Sequence, residues 1–503
     1  MAKVKPRVFR GLRDLLPEQM AARQWLIDTI RGVYERYGFV PLGTPAIEYL
    51  DVLSGSAGAE AQQSIFHVRN PEKRRDSDEE ALGLRFDLTV PLARVISQYR
   101  DLPRPFRRYQ VASVWRADKP DRGRFREFTQ FDLDSVGVSS EVADVEIIAA
   151  MCDTLTALKV GSYRVRFSSR KILNLLLKYA EIPDQFEVSI QEEDGIGRPV
   201  TRTETRSSSD VFRVLDKLDK IGPDKVRLEL TIGYTDKSGD RIPGLGLTND
   251  QVDRIEKFLA IQGDGREDVL GQLREVFGPV PEAEEEIDVL AGMSRQLAKL
   301  GYEEDRAVID LSIARGLAYY TGPVFEAILV DAPQFGSVFG GGRYDELVTR
   351  FIGERIPATG ASIGVDRLLA ALLELNRIPT RKSTAQVLVT ALDSTMTDDY
   401  LELTFELRRA GISAELFLGK KGIGKQMKYA DQQEIPLALM YGSDERDKGI
   451  VTLKNLMHGK TRSGEIEKRE EWIRERPGQI EAPRGELVDA VRKMLSDVEQ
   501  SHG

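Results

Sequence analysis

The sequence predicts an α+β protein: a domain built on an antiparallel sheet, a mainly helical stretch set inside it, and a smaller α/β domain towards the C-terminus. Three observations carry this. Residues 106 to 134 hold two β-rich runs around a Pro120-Asp-Arg-Gly turn, the pattern of a strand, a charged loop at about 117 to 124 and a returning strand. From about 171 to 305 the pattern turns mainly helical, and strand character resumes at Ala307. After a Pro379-Thr-Arg-Lys-Ser-Thr linker, short apolar runs alternate with helical ones, which implies βαβ units and a mainly parallel sheet.

At 503 residues with 41% hydrophobic content, the chain is long enough for about three domains with cores of their own. No N-terminal run joins a basic start to an apolar stretch of signal-peptide length, and no stretch reaches the ~18 apolar residues that span a bilayer, so a cytoplasmic protein is expected. The single cysteine, Cys152, rules out an internal disulfide and reads as helix packing. Only three histidines occur, His67, His458 and His502, too few for His-rich metal sites or nucleophile triads. No residue set reads as a metal site. Chemistry must then rest on arginines, carboxylates, amides and tyrosines, which suits attack of an acid on a phosphate, where positioning and charge neutralisation dominate.

Alternation along the returning strand puts Arg124, Arg126, Phe128, Gln130, Asp132 and Asp134 on one face and Phe125, Phe131 and Leu133 on the other, a polar site backed by a core. Between Arg100 and Arg126 stand nine Arg or Lys against three Asp, a local +6 in a chain of net charge -9. Such a cluster is expected to attract phosphates.

Around this hairpin the other elements read in order. Residues 9 to 38 lead through Phe9-Arg-Gly-Leu-Arg-Asp-Leu-Leu-Pro into an amphipathic helix, and Gly38 to Glu48 carries Pro45, which within a sheet belongs at an edge or strand start. Residues 70 to 80 form a charged loop. Leu84 to Arg94 returns to strand character before a helix, which would put Asp87 and Thr89 on one strand face; capping of a helix start is the competing reading. Residues 141 to 160 read as a helix with Val145, Ile148, Ala149 and Cys152 on one side, and 161 to 170 as a strand. Ala307 to Glu326 reads as strand and includes Arg315-Gly-Leu-Ala-Tyr-Tyr-Thr-Gly322; a Tyr-Tyr pair is by itself core plus rim. The glycine triplet of Phe335 to Val348 suggests a wall that a ligand approaches closely. Ala358 to Leu372 is a small-residue strand running into a helix, with Arg367 near its start, where backbone N–H groups favour an anion. In the C-terminal part, Gly419 to Gln426 nearly spells a phosphate-binding loop, but Gln426 replaces the hydroxyl that would hold Mg²⁺; Lys420, Lys421, Lys425 and Lys428 suit RNA phosphates instead. Gly485 to Val498 reads as an amphipathic helix packed on a neighbour.

Several of these strings resemble a known family. The run from Arg116 to Arg126-Glu127-Phe128 and on through Gln130 to Asp134 resembles motif 2 of the class II aminoacyl-tRNA synthetases; Gly38 to Glu48 resembles motif 1, with its proline at Pro45, and Ala358 to Leu372 motif 3. Gly11-Leu-Arg-Asp-Leu-Leu-Pro17 and Arg315 to Gly322 are similar to strings of the histidyl-tRNA synthetases in particular, except that Ala318 stands where the family has aspartate. The resemblance covers nearly the whole chain and is weakest over 171 to 305.

The resemblance implies a catalytic domain on an antiparallel sheet of class II type in two parts, 1–170 and 306–378, a mainly helical insertion domain at 171–305, an α/β anticodon-binding domain at 385–480 and a C-terminal helix at 481–503. It implies a histidine–tRNA ligase that joins histidine to AMP at the expense of ATP, with Mg²⁺ accompanying the ATP, and then to tRNA(His). Arg315 and Arg116 would be catalytic. Asp87, Thr89, Arg116, Gln130, Asp134, Arg315, Tyr319 and Tyr320 would hold histidine; Arg116, Asp118, Arg124, Arg126, Phe128 and Arg367 would hold ATP, Phe128 by stacking on adenine. A homodimer is implied as well. The alternative is a non-catalytic relative, the histidine-sensing regulatory subunit of ATP phosphoribosyltransferase, which lacks an anticodon-binding domain and need not keep the ATP-clamping arginines.

Overall fold

The computed structural model describes residues 3–54, 64–69, 81–121, 123–193, 199–215, 217–236, 239–313, 320–419, 421–457 and 478–502. Arg122, the charged loop 70–80, Arg315, Ala318, Tyr319, Lys420 and His458 lie outside them. Two compact units emerge: residues 1–14 with 23–378, and residues 15–22 with 379–503.

The first unit is organised on an eight-stranded sheet. Its order is Val40–Pro41, Phe106–Trp115, Glu127–Val136, Ala358–Gly364, Ser337–Arg343, Pro323–Leu329, Tyr163–Ser169, Ala307–Ile309. The six central strands pair antiparallel; only the short outermost strands join parallel. The hairpin is therefore an antiparallel pair as predicted, with ten-residue strands that put Arg108 opposite Asp134 and Gln110 opposite Asp132. Phe131 and Leu133 are fully buried on its apolar face, where Tyr34 of the helix Pro17–Arg36 meets Phe131 edge-on at 5.0 Å. The helix Val142–Ala157 packs on the sheet, and Cys152 is buried in it.

Four expectations need correcting. Ala307 to Glu326 is not one strand: regular pairing covers Ala307–Ile309 and resumes at Pro323. Asp87 and Thr89 do not share a strand face, because the strand ends at Leu84 and Thr89 opens the helix Thr89–Gln98; Asp87 Oδ1 accepts from the backbone N–H of Val90 at 3.1 Å, so the capping reading holds for its local geometry. Among the described residues of 171–305, six helices of eight or more residues bear out the mainly helical reading, but it omitted two antiparallel pairs, Gln185–Glu193 with Pro199–Ser207 and Gly233–Thr235 with Arg241–Pro243. The alternation in Phe186-Glu-Val-Ser-Ile and the β-branched residues of Pro199-Val-Thr-Arg-Thr were the available signal.

The fourth concerns the second unit, whose five-stranded sheet runs Ala414–Leu416, Val387–Val389, Leu437–Met440, Ile450–Asn455, Gln479–Pro483. Its first three strands are parallel and its last two antiparallel, so the sheet is mixed rather than mainly parallel. The fifth strand crosses residue 480. Helix Leu487–His502 sets Leu487, Val491 and Met494 at helical spacing into the same core as Val387, Leu439 and Leu453.

The near-phosphate-loop resolves into a structural device. Gln426 is fully buried at the start of helix Ile423–Gln432; its amide donates to the carbonyls of Ala391 and Lys421, each at 2.7 Å, and accepts from the N–H of Ala391 at 3.0 Å. Replacing Gln426 with alanine leaves three backbone groups, the N–H and carbonyl of Ala391 and the carbonyl of Lys421, without this partner. We expect a loss of about 1–3 kcal/mol, read as a lower denaturant midpoint for this unit.

Candidate active site

The polar face of the hairpin forms the floor of a cavity of about 520 Å³. Phe128, Gln130, Asp132 and Asp134 project into it at alternate positions of one strand, as period-two geometry requires. Asp87, Thr89 and Arg116 reach it from before and within the hairpin, Gly340, Gly341 and Tyr344 from the glycine-rich strand and its end, and Gly360, Ser362 and Arg367 from the strand–helix unit at 358–374.

Paired across the hairpin with Asp134 of the floor lies Arg108, with no solvent exposure at all. Its Nη2 pairs with Asp134 at 2.8 Å, stands 3.7 Å from Asp132 and donates to the carbonyl of Leu88 at 3.1 Å. The other Asp134 oxygen accepts a short hydrogen bond from the hydroxyl of Tyr344. Burial pushes the Asp134 carboxyl up, and Arg108 and then Tyr344 pull it back. Burial likewise raises Asp132, to about 7, against the pull of Arg108 and with the repulsion of Asp134 added. Asp87 is held at about 6, raised by burial and lowered by its bond to Val90 and by Arg116.

Two glycines make this geometry possible. A Cβ on Gly360 would overlap the Asp134 carboxylate across the strand pair, and one on Gly342 would come within 2.9 Å of the Tyr320 ring. Gly340 and Gly341 line the cavity, where a Cβ on Gly341 would overlap the Gly360 carbonyl of the paired strand, and Gly342 makes room for an aromatic wall.

At the other end, Arg116 donates from Nε to the carbonyl of Phe86 at 2.9 Å, and its guanidinium lies 5.2 Å from the ring centre of Phe128. Arg367, in the first turn of helix Val365–Glu374, donates to the carbonyl of Ser337 at 2.6 Å. The adjacent Asp366 accepts from the backbone N–H of Thr129 at 2.6 Å and pairs with Arg13 at 2.8 Å, which fixes this helix start against the returning strand and the N-terminal segment. Gln130 donates to the hydroxyl of Ser362 at 2.9 Å, and among the described residues its Oε1 has no partner. The cavity therefore has an acidic inner part, a cationic outer part and an aromatic ring between them.

Of the residues singled out from sequence, Asp87, Thr89, Arg116, Asp118, Phe128, Gln130, Asp134, Tyr320 and Arg367 line this cavity. Arg124 and Arg126 do not, because the strand begins only at Glu127 and alternation stops there. Arg124 lies exposed on the loop; Arg126 donates to the carbonyls of Asp118 at 3.2 Å and Arg10 at 3.3 Å and stacks on Phe9. Arg315 and Tyr319 lie outside the described residues. Of the nine cations in the cluster expected to attract phosphates, three are taken up by carboxylates: Arg104 pairs with Glu354, Arg107 with Glu146, and Arg108 with Asp134. Sequence reading missed Tyr344, Ser362 and the part played by Asp132, which it placed on the right face without a role.

An antiparallel sheet whose hairpin, glycine-rich strand and strand–helix unit converge on one such cavity defines the catalytic fold of a class II aminoacyl-tRNA synthetase. A model described as histidyl-tRNA synthetase matches residues 11–193 and 209–368, and one described as anticodon binding domain matches 386–476. A histidine–tRNA ligase of Roseobacter denitrificans is 42% identical over 513 residues, covering 98% of this chain and 97% of that protein; one of Cereibacter sphaeroides is 42% identical over 504 residues, covering 97% of each. Among solved structures, histidyl-tRNA synthetase from Nostoc sp. PCC 7120 matches with a TM-score of 0.76 at 31% identity, covering 98% of this chain and 100% of that one. An ATP phosphoribosyltransferase regulatory subunit/histidyl-tRNA synthetase from Bacillus halodurans shares the fold, with a TM-score of 0.63 at 21% identity over 84% of this chain and 97% of that one. The chain belongs to the histidyl-tRNA synthetase family.

The buried carboxylates set a pH dependence. In the unfolded chain an aspartate titrates near pH 4. With Asp132 at about 7, the folded state binds more protons than the unfolded one in between, and its contribution to stability falls as pH rises through that window. Asp132→Asn removes this cost. The ligand-free variant should match wild type near pH 4 and exceed it by about 1 to 4 kcal/mol at pH 8, at ~1.4 kcal/mol for each tenfold difference in proton affinity between the folded and unfolded chain, in urea unfolding followed across that range.

Proposed function

We propose that this chain is a histidine–tRNA ligase, which activates histidine with ATP and passes it to the 3' end of tRNA(His). The observation that carries the reading is the single cavity in which an acidic end and a cationic end face each other across Phe128. Asp87 and Thr89 would take the α-amino group, and Gln130, Asp134, Tyr320 and, from the adjoining segment, Tyr319 would enclose the imidazole, Asp134 accepting from a ring nitrogen. Such a site rejects isosteres lacking the ring nitrogens by leaving its own polar groups unpaired. Phe128 would stack on adenine, and Arg116 and Arg367 would hold the phosphates, with Asp118 at the rim. Arg124 and Arg126, on the loop beyond, would reach the nucleotide only through movement of that loop.

The histidine carboxylate attacks the α-phosphorus and pyrophosphate leaves; Arg116 and Arg315 would stabilise the charge developing on the phosphoryl oxygens. The mixed anhydride then yields histidine to a ribose hydroxyl of tRNA and releases AMP. Among the described residues no three His, Cys, Asp or Glu side chains converge on a metal position. Mg²⁺ would thus be held chiefly by ATP phosphate oxygens, with one or two carboxylates at most, and would supply charge neutralisation.

The functional divisions proposed are 1–170 with 306–378 for chemistry, 171–305 as insertion, 385–480 for the anticodon, and the terminal helix 481–503. A homodimer is proposed from the surroundings of Pro45. Val40, Ile47, Tyr49 and Tyr99 are each about half exposed, and Ile47, Tyr49 and Tyr99 border, with Pro45 and Leu82, a second cavity of about 710 Å³. The cytoplasm is the proposed compartment; among the described residues no helix is long and apolar enough to cross a membrane. The regulatory-subunit alternative finds less support, since the chain carries the anticodon-domain match and arginines at the cavity's outer end.

The test is histidine-dependent exchange of pyrophosphate into ATP. Wild type should catalyse it, and Arg315→Ala and Arg116→Ala should each lower the rate by about 10²–10³-fold, the usual cost of one oxyanion donor. A folded wild type without exchange activity overturns the reading. Sedimentation velocity should return a dimer, and Ile47→Asp a monomer.

A further inference from the structure

We infer that Asp132 is a further histidine-binding residue, whose carboxylate accepts from the α-ammonium group of the bound amino acid; this rests on the ligase reading above. Three observations converge on it. Asp132 lines the cavity floor between Gln130 and Asp134, yet is 1% exposed. Among the described residues, neither of its oxygens meets a hydrogen-bond donor in good geometry, although the hydroxyl of Ser362 lies near enough to favour its ionised form. Among the described residues its one ion pair is the 3.7 Å approach of Arg108, and that guanidinium nitrogen is already committed to Asp134 at 2.8 Å and to the carbonyl of Leu88.

The charge balance makes the same point. Asp87, Asp132 and Asp134 put three carboxylates around one fully buried cation, Arg108. Asp87 spends an oxygen on the N–H of Val90 and faces Arg116. Asp134 has Tyr344 and Arg108. Among the described residues, Asp132 alone of the three has no well-formed hydrogen bond to either oxygen, and burial without a partner is costly enough that such groups mark strain or a missing ligand. A cationic ligand group supplies the counter-charge.

Geometry decides which cation. The amino group of histidine would sit by Asp87 and Thr89, at the start of helix Thr89–Gln98, whose own N-terminal dipole repels a positive charge. An ammonium held there needs more negative charge than a carboxylate already capping the helix provides. Asp132, within electrostatic reach of Asp87, supplies it from the facing strand.

The experiment compares wild type, Asp132→Asn and Asp132→Ser in equilibrium binding of three probes: histidine, histamine, which keeps the ammonium but lacks the carboxylate, and imidazolepropionate, which lacks the ammonium. We expect both variants to lose about 10- to 100-fold in affinity for histidine and for histamine, the range for a hydrogen bond to a charged group. Imidazolepropionate should change by less than about twofold. In pyrophosphate exchange the KM for histidine should rise with the KM for ATP unchanged. Equal loss for all three probes means that Asp132 serves the imidazole and overturns the inference; so does unchanged affinity for histidine. Failure of both variants to fold overturns it too, because a side chain waiting for ligand does not hold the fold. A wild type that binds no histidine sinks the ligase reading itself, a separate outcome.

Discussion

A guanidinium with no access to water is the constraint on which the catalytic sheet turns. Arg108 sits opposite Asp134 in the register of the hairpin, and its charge is met by Asp134, by the more distant Asp132 and by the carbonyl of Leu88. Desolvating such a group costs several kcal/mol, which only close counter-charges offset. That need fixes Asp134 beneath the cavity, and strand alternation sets Asp132 beside it; burial raises both carboxyls, and Asp134 adds its repulsion at Asp132. The pocket floor is therefore acidic before any ligand arrives, and the same interaction that holds two strands together prepares a place for a cationic, nitrogen-rich ligand.

Polar anchors extend this logic outward. Arg85 donates to the carbonyls of Thr44, Pro45 and Ser113, and Gln110 to the hydroxyl of Thr44, so the segment around Pro45 is tied to the hairpin rather than laid upon it. Asp366 joins the returning strand to Arg13 of the N-terminal segment, and Arg126 holds the same segment through the carbonyl of Arg10. Elements far apart in the chain are located by hydrogen bonds to backbone groups, whose directionality positions them more narrowly than apolar contact does. Positioning is what adenylate chemistry requires, since charge placement rather than proton transfer does most of the stabilising.

Much of this was readable from residue order, and the failures share a cause. Period-two spacing put Phe128, Gln130, Asp132 and Asp134 on one face, because β geometry leaves no other choice once the strand is accepted. The same rule misled at Arg124 and Arg126, where the strand had not yet begun, and at Asp87, where a helix start intervened. The basic count around the hairpin suggested a surface for anions, yet Arg104, Arg107 and Arg108 are taken up by Glu354, Glu146 and Asp134. Partners distant in sequence decide whether a charge is free. In the second unit the near-phosphate-loop had the right spacing, and only the burial of Gln426 against Ala391 and Lys421 shows what its amide does.

The sequence by itself determined the antiparallel hairpin, the polar strand face and the family, because local periodicity and short ordered strings of residue types are properties of neighbouring positions. Only the tertiary structure decided that Arg108 faces inward, that Tyr344 supports Asp134, that Gly360 makes room for that carboxylate and that Asp132, among the described residues, is left without a well-formed hydrogen bond. Each of these depends on which groups meet across strands far apart in the chain. Solvation and pairing belong to that meeting, not to the order of residues along it.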